Sequence, residues 1–209
     1  ADKLQQTDEL RAWRLVYGGL KPDEEKLREA LCTLGNGYFA TRGAGPESED
    51  DGVHYPGTYL AGGYNRLKTE KSGKIIENED LVNMPNWLPL SFRIEHDDWF
   101  DLSKVDVLEY CQELDIRSGV LLRTIRFSDE RGRITRLIER RFVHMRQAHL
   151  AGLETRLIAE NWSGQIEFRS ALDGRIVNNG VERYRDLNNL HLTALETGQP
   201  ADDTVFLKM

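Results

Sequence analysis

Period two dominates much of this chain. Leu90, Phe92 and Ile94 alternate with Ser91, Arg93 and Glu95. Leu153, Thr155, Leu157 and Ala159 alternate with Glu154, Arg156 and Glu160, broken only by Ile158. Successive side chains of a strand point to opposite faces, so each run predicts a half-buried β-strand. Ile166, Phe168 and Leu172 repeat the pattern after the turn residues Asn161, Trp162, Ser163 and Gly164. Turn punctuation recurs at residues 128–132, at Asp173-Gly174 and at Asn179-Gly180, the spacing of an antiparallel all-β domain. Residues 134–145 are less regular. Ile134, Ile138 and Phe142 lie four apart, as on a helix, yet Leu137, Val143 and Met145 spoil a single stripe. We read a long strand with a bulge that shifts the facing by one residue.

Helical spacing is confined to the start. Residues 13–20 read as a first strand ending at Gly18-Gly19. Pro22, Asp23, Glu24 and Glu25 then carry helix-start signals. Leu27, Ala30, Leu31 and Leu34 follow at helical spacing, and Gly35 sits where a left-handed cap belongs. The pattern predicts a mainly all-β fold with one or two short helices, a single sandwich of two large antiparallel sheets over residues 1–209.

Composition narrows the class. At 209 residues the chain buries enough surface to need no staples. Its net charge of −7 argues against nucleic acid as a general partner. No apolar run approaches the ~18 residues needed to cross a bilayer, so no membrane partner is expected. Cys32 and Cys111 form no metal or redox spacing and read as reduced thiols. With no apolar leader at the start, they predict a cytoplasmic protein. The chain begins at Ala1 and stops on the apolar stretch Val205, Phe206, Leu207, Lys208, Met209, which reads as a segment of something longer.

Most candidate chemistry dissolves on inspection. Glu47, Glu49, Asp50 and Asp51 lack the glycine and ligand ladder of a calcium loop and read as a solvated loop. The histidines at positions 54, 96, 144, 149 and 191 include no zinc spacing and read as packing or surface residues. Arg131, Arg133, Arg136, Arg140, Arg141 and Arg146 sit among Glu130 and Glu139, as on a charged solvent face of a sheet. Gly43-Ala44-Gly45 runs into Pro46 and Glu47 where a dinucleotide motif would open a helix. No metal or cofactor is expected, while the many Glu and Asp residues leave a carboxylate pair for glycoside chemistry open without locating it.

The informative stretches are rich in glycine. Residues 34–43 read Leu-Gly-Asn-Gly-Tyr-Phe-Ala-Thr-Arg-Gly, and residues 57–65 read Gly-Thr-Tyr-Leu-Ala-Gly-Gly-Tyr-Asn. Only glycine enters the left-handed region without steric cost. Here it alternates with side chains that stack on and hydrogen-bond to polar rings, which makes Arg42, Tyr64 and Asn65 candidates for substrate binding. Asn83, Asn86 and Trp87 flank Pro85 in a stiffened turn and form the sharpest candidate set, two amides beside an indole. The alternative is a turn whose amides cap its own backbone.

Together with residues 114–123, residues 172–174 and residues 178–181, these blocks resemble the N-terminal domain of the maltose, trehalose and kojibiose phosphorylases and their hydrolase relatives (glycoside hydrolase family 65). The likeness runs from Trp13 to about Leu192. One departure is visible: family members commonly carry paired acids soon after the Arg-Gly, where this chain has Ala44, Gly45, Pro46 and Glu47. The resemblance implies a galactose-mutarotase-like super-sandwich, followed in the full enzyme by a helical toroid that holds the general acid. It implies inverting attack on an α-glucosidic bond, by inorganic phosphate as co-substrate or by water, and a homodimer. Three readings follow: a non-catalytic domain that supports the substrate site and subunit contacts, a stand-alone sugar epimerase needing a facing His and Glu, or an interaction or carbohydrate-binding module.

Overall fold

The computed structural model describes residues 12–179 and 186–209. Turn residues Gly180 and Val181, part of the last matching block, lie outside that range. The framework is a five-stranded antiparallel sheet in the order β1 (Arg14–Gly18), β8 (Asp106–Asp115), β9 (Val120–Ser128), β10 (Ile134–Val143), β11 (Ala151–Ala159). Smaller antiparallel units accompany it: β2 (Leu34–Gly35), β3 (Phe39–Thr41) and β4 (Thr58–Leu60); the hairpin β5 (Tyr64–Lys71) and β6 (Lys74–Leu81); β7 (Leu90–Ile94) with β12 (Ile166–Ser170); and β13 (Glu196–Ala201) with β14 (Thr204–Lys208). α1 (Pro22–Leu31) is the one α-helix among the described residues.

The alternation read from the sequence sets the layers. On β7, Phe92 and Ile94 face inward, and Phe92 packs with Ile125 and Phe127 of β9 and Leu137 of β10. Phe100 stacks on Phe92 with ring centroids 4.7 Å apart. A second cluster joins Cys32 and Leu34 to Leu114, Leu121 and Val143. Two apolar clusters thus clamp the β2–β3–β4 and β7–β12 units onto one face of the large sheet, which makes the architecture a sandwich.

Three expectations are corrected. The helix is inverted: Glu25, Arg28 and Glu29 are its buried residues, while Leu27 and Leu31 of the apolar stripe are 61% and 50% exposed. It ends at Leu31 with Cys32 as its cap, and Gly35 lies in β2 against Ala40. β10 has no bulge, for its register with β9 and β11 runs unbroken; the irregularity is in β8, between Val107 and Glu109. Finally, the arginine stretch is split. Arg136 and Arg140 are on the outward face, paired with Glu109, Glu160 and Glu154. Arg141 is buried, and the loop residue Glu47, its side chain 10% exposed, pairs with Arg123.

Candidate functional site

The segment between β3 and β4 crosses the large sheet over charged, not apolar, side chains. Leu121, Arg123, Ile125 and Phe127 share the inward face of β9, and Thr135, Leu137, Glu139, Arg141 and Val143 share that of β10. Arg123 donates from Nη1 and Nη2 to the two carboxylate oxygens of Glu47, 2.8 and 2.5 Å away, and from Nε to Glu139 at 2.6 Å. Gln112 donates to the Gly43 carbonyl and Arg141 to the Ala44 carbonyl, each at 2.9 Å. The strands therefore grip the backbone of residues 43–47 directly. That closeness explains the glycines: a Cβ on Gly43 would lie 2.6 Å from the Cys32 Cβ, and one on Gly45 would fall on the Arg123 guanidinium. Burial alone raises both carboxyls and lowers both guanidinium groups. For Glu47 the bidentate Arg123 outweighs burial and holds its pKa low, whereas Glu139, facing Glu47 as well as Arg123, is pushed up. Burial brings Arg141 down to about 10.

Next along this segment stands a second buried cluster. The Glu29 side chain is 2% exposed, and its Oε1 lies 2.9 Å from His54 Nδ1. Its Oε2 accepts from the Tyr55 N–H at 2.9 Å, and Arg42 Nη2 approaches it at 3.7 Å. Asp51 Oδ1 accepts from the N–H groups of Val53 and His54, at 2.9 and 2.7 Å, so the loop that carries the imidazole is closed by its own side chain. The hydrogen bond that Glu29 accepts from the ring raises the His54 pKa above the ordinary imidazole value, against burial, which lowers it.

His54 lines a cleft of about 1070 Å³ together with Glu49, Asp51, Tyr55, Asn83, Asn86, Trp99, Arg169 and Arg175. A recess of this size with convergent polar groups is a default place for a ligand. Among the sequence-predicted residues, Asn83 and Asn86 line it, with their amides turned to backbone. Asn83 accepts from the Thr58 N–H at 3.0 Å and donates to the Pro56 carbonyl at 3.3 Å, while Asn86 accepts from Leu88 at 3.1 Å and bridges Asp173. Arg42 stands beside the cleft, donating to the carbonyls of Tyr55 and Lys26, both at 2.8 Å. Trp87, Tyr64 and Asn65 are not in its lining. The Trp87 indole N–H is buried without an acceptor among the described residues. Tyr64 is 62% exposed, and Asn65 lies 3.3 Å from His191 on the β5–β6 hairpin.

Glu29, His54, Arg123 and Glu139 did not stand out in the sequence. A signal was there: Glu25, Arg28 and Glu29 form their own i, i+3, i+4 stripe, and Arg123 and Glu139 occupy inward parity positions of strands. A search for charge at inward positions finds both clusters.

A family model described as the N-terminal domain of glycosyl hydrolase family 65 matches residues 15–209. The chain is 47% identical over 193 residues to an uncharacterized glycosyl hydrolase of Mycobacterium tuberculosis, covering 92% of this chain and 14% of that protein. It is 29% identical over 160 residues to a kojibiose phosphorylase of Halothermothrix orenii, covering 75% and 19%. It is 32% identical over 176 residues to a trehalose 6-phosphate phosphorylase of Lactococcus lactis, covering 82% and 22%. The chain thus spans under a quarter of the length of these relatives. A human-microbiome protein described as a candidate kojibiose phosphorylase shares the fold, with a TM-score of 0.75 over 90% of this chain and 24% of that one, at 22% identity.

Proposed function

Because this chain belongs to the N-terminal domain family of glycosyl hydrolase family 65, we propose that it is the non-catalytic sandwich of an inverting α-glucoside phosphorylase. In this reading the rest of the parent protein supplies the general acid, inorganic phosphate is the co-substrate and no further cofactor is used. The observation that carries the reading is the match to kojibiose and trehalose 6-phosphate phosphorylases over three quarters or more of this chain and a quarter or less of each relative. The inverted helix supports it, since Leu27 and Leu31 offer an apolar surface to further polypeptide.

The sandwich then serves as a rigid carrier for loops that wall the substrate site of the parent enzyme. Asn83, Asn86 and Trp87 are the residues we assign to that wall, and the Trp87 indole N–H has no acceptor among the described residues. The hydrolase reading has one specific observation in its favour, the 47% identity to an uncharacterized glycosyl hydrolase. Product analysis separates the two: with phosphate and kojibiose, trehalose or maltose, the full-length protein releases a glucose phosphate if it is a phosphorylase and only glucose if it is a hydrolase. The 209-residue chain alone should release neither. Trp87→Ala in the full-length protein should lower kcat/KM more than tenfold, roughly 1.4 kcal/mol of transition-state stabilisation. Full activity in that variant, or a loss matched by loss of folding and rescued by Trp87→Phe, would reduce the segment to support and assembly.

A further inference from the structure

The epimerase reading asks for a His and a Glu facing each other across a cleft, and the structure holds such a pair in another arrangement. Glu29 and His54 are hydrogen-bonded side by side, with the carboxylate behind the ring and sealed from water. A buried carboxylate on Nδ1 fixes both the tautomer and the orientation of an imidazole. Nε2 is thereby left without a hydrogen-bond partner among the described residues, on a side chain that lines the cleft. Nothing in the packing of the loop requires that nitrogen, because its backbone is already closed by Asp51 and Tyr55.

The surroundings define what the ring can meet. The bases of the cleft are engaged: Arg175 with Asp173 at 2.8 Å, Lys104 with Asp101 at 3.3 Å, and Arg169 over the Trp99 ring at 4.4 Å. Acids still outnumber bases in the lining, since Glu49, Asp50 and Asp51 join Asp101 and Asp173, although Glu49 approaches Arg175 at 3.9 Å and Asp50 accepts from Asn179 at 2.8 Å. A recess of this sign repels phosphate and other anions. It suits a neutral ligand with hydroxyl groups, which an imidazole nitrogen and the carboxylates of the rim can hydrogen-bond. We propose that the cleft is a non-catalytic binding site for a neutral sugar unit, with His54 Nε2 as its central polar contact and Glu29 as the positioning residue. The proposal rests on the reading above only in taking the ligand to be a sugar. A hydroxyl both donates and accepts, so the contact survives whether Nε2 carries its proton or not. The charged groups around the ring are Glu29 and Glu25 from α1, Asp51 and Glu47 from the loop, and Arg42 held against Glu29.

The test is a titration of the 209-residue chain, with ¹⁵N-labelled histidine rings, by maltose and separately by inorganic phosphate. His54 is assigned by its loss in His54→Gln or, should that variant not fold, by its raised titration midpoint. Maltose should move the His54 ring signals saturably at pH 5.5 and again at pH 8.5, and Glu29→Gln should weaken that binding at least fivefold. Unmoved signals at tens of millimolar maltose would overturn the proposal. So would a saturable response to phosphate that vanishes on raising the pH, the mark of an anion site. Failure of the parent protein to act on α-glucosides, with maltose still binding at His54, would sink the functional reading and leave this site standing.

Discussion

One face of the large sheet carries two unlike cores, and they lie two residues apart. Ile125 and Arg123 are neighbours on the inward side of β9, as are Leu137 and Glu139 on β10. On one side Phe92, Phe100, Ile125, Phe127 and Leu137 pack ring and branch against each other. On the other, Arg123, Glu139, Arg141 and Gln112 hold the backbone and the carboxylate of residues 43–47. The apolar half needs only volume and shape, so near-isosteric changes are tolerated. The charged half depends on each partner, because a buried ion left alone costs more than the pair contributes.

That contrast gives the largest expected effect. Arg123→Ala removes the guanidinium that Glu47 and Glu139 share, leaving Arg141 as the cation near Glu139, and should destabilise the fold by about 3–5 kcal/mol in urea unfolding. Arg123→Met combined with Glu47→Gln and Glu139→Gln should recover much of that loss. If the single variant is nearly neutral, the charged half is wetter than its burial implies. Leu137→Ala should follow at about 3 kcal/mol, the transfer and cavity loss of a buried leucine. Leu137→Met, in contrast, should stay below about 1.5 kcal/mol.

A smaller effect depends on pH. The folded pKa of His54 lies above its ordinary value of 6.5, so the protonated ring stabilises the fold fully below that value. The contribution fades as pH rises through the raised folded pKa. Thermal melts of wild type and Glu29→Gln should therefore differ more at pH 5.5 than at pH 8.5. An equal gap at both values would mean that the ring stays neutral in the folded chain. Least of all should be Arg140→Ala, whose partner Glu154 is half exposed like itself. A change of about 0.3 kcal/mol, lost in high salt, is expected there.

Much of the scaffold was legible because strand periodicity needs no knowledge of the partner. Leu90, Phe92 and Ile94 read as a strand and pack as one, and residues 128–132 turn where they were placed, with Asp129 accepting from Arg131 and Arg133 and Gly132 at φ +73°. The differences share one cause: polar side chains here occupy inward positions, so polarity does not mark the outside. Glu139 and Arg141 at inward positions of β10 disrupted the apolar rhythm, and a bulge was inferred to repair it. In α1, likewise, Leu27 and Leu31 carry the apolar stripe, while Glu25, Arg28 and Glu29 take the buried face.

The candidate site was legible only in part. Asn83 and Asn86 line the cleft, yet their side chains hold the backbone of the turn, as amides beside a proline do at any location. His54 and Glu29 are 25 residues apart, one in a loop and one on a helix. No local pattern joins them.

The sequence by itself determined the antiparallel strand content, the turns and the family, since these rest on local steric preference and on blocks of residues in order. Tertiary structure alone decided which charges are buried and with whom they pair. A carboxylate or guanidinium is worth burying only against a partner at hydrogen-bond distance, and that distance is set by the packing of segments far apart in the chain.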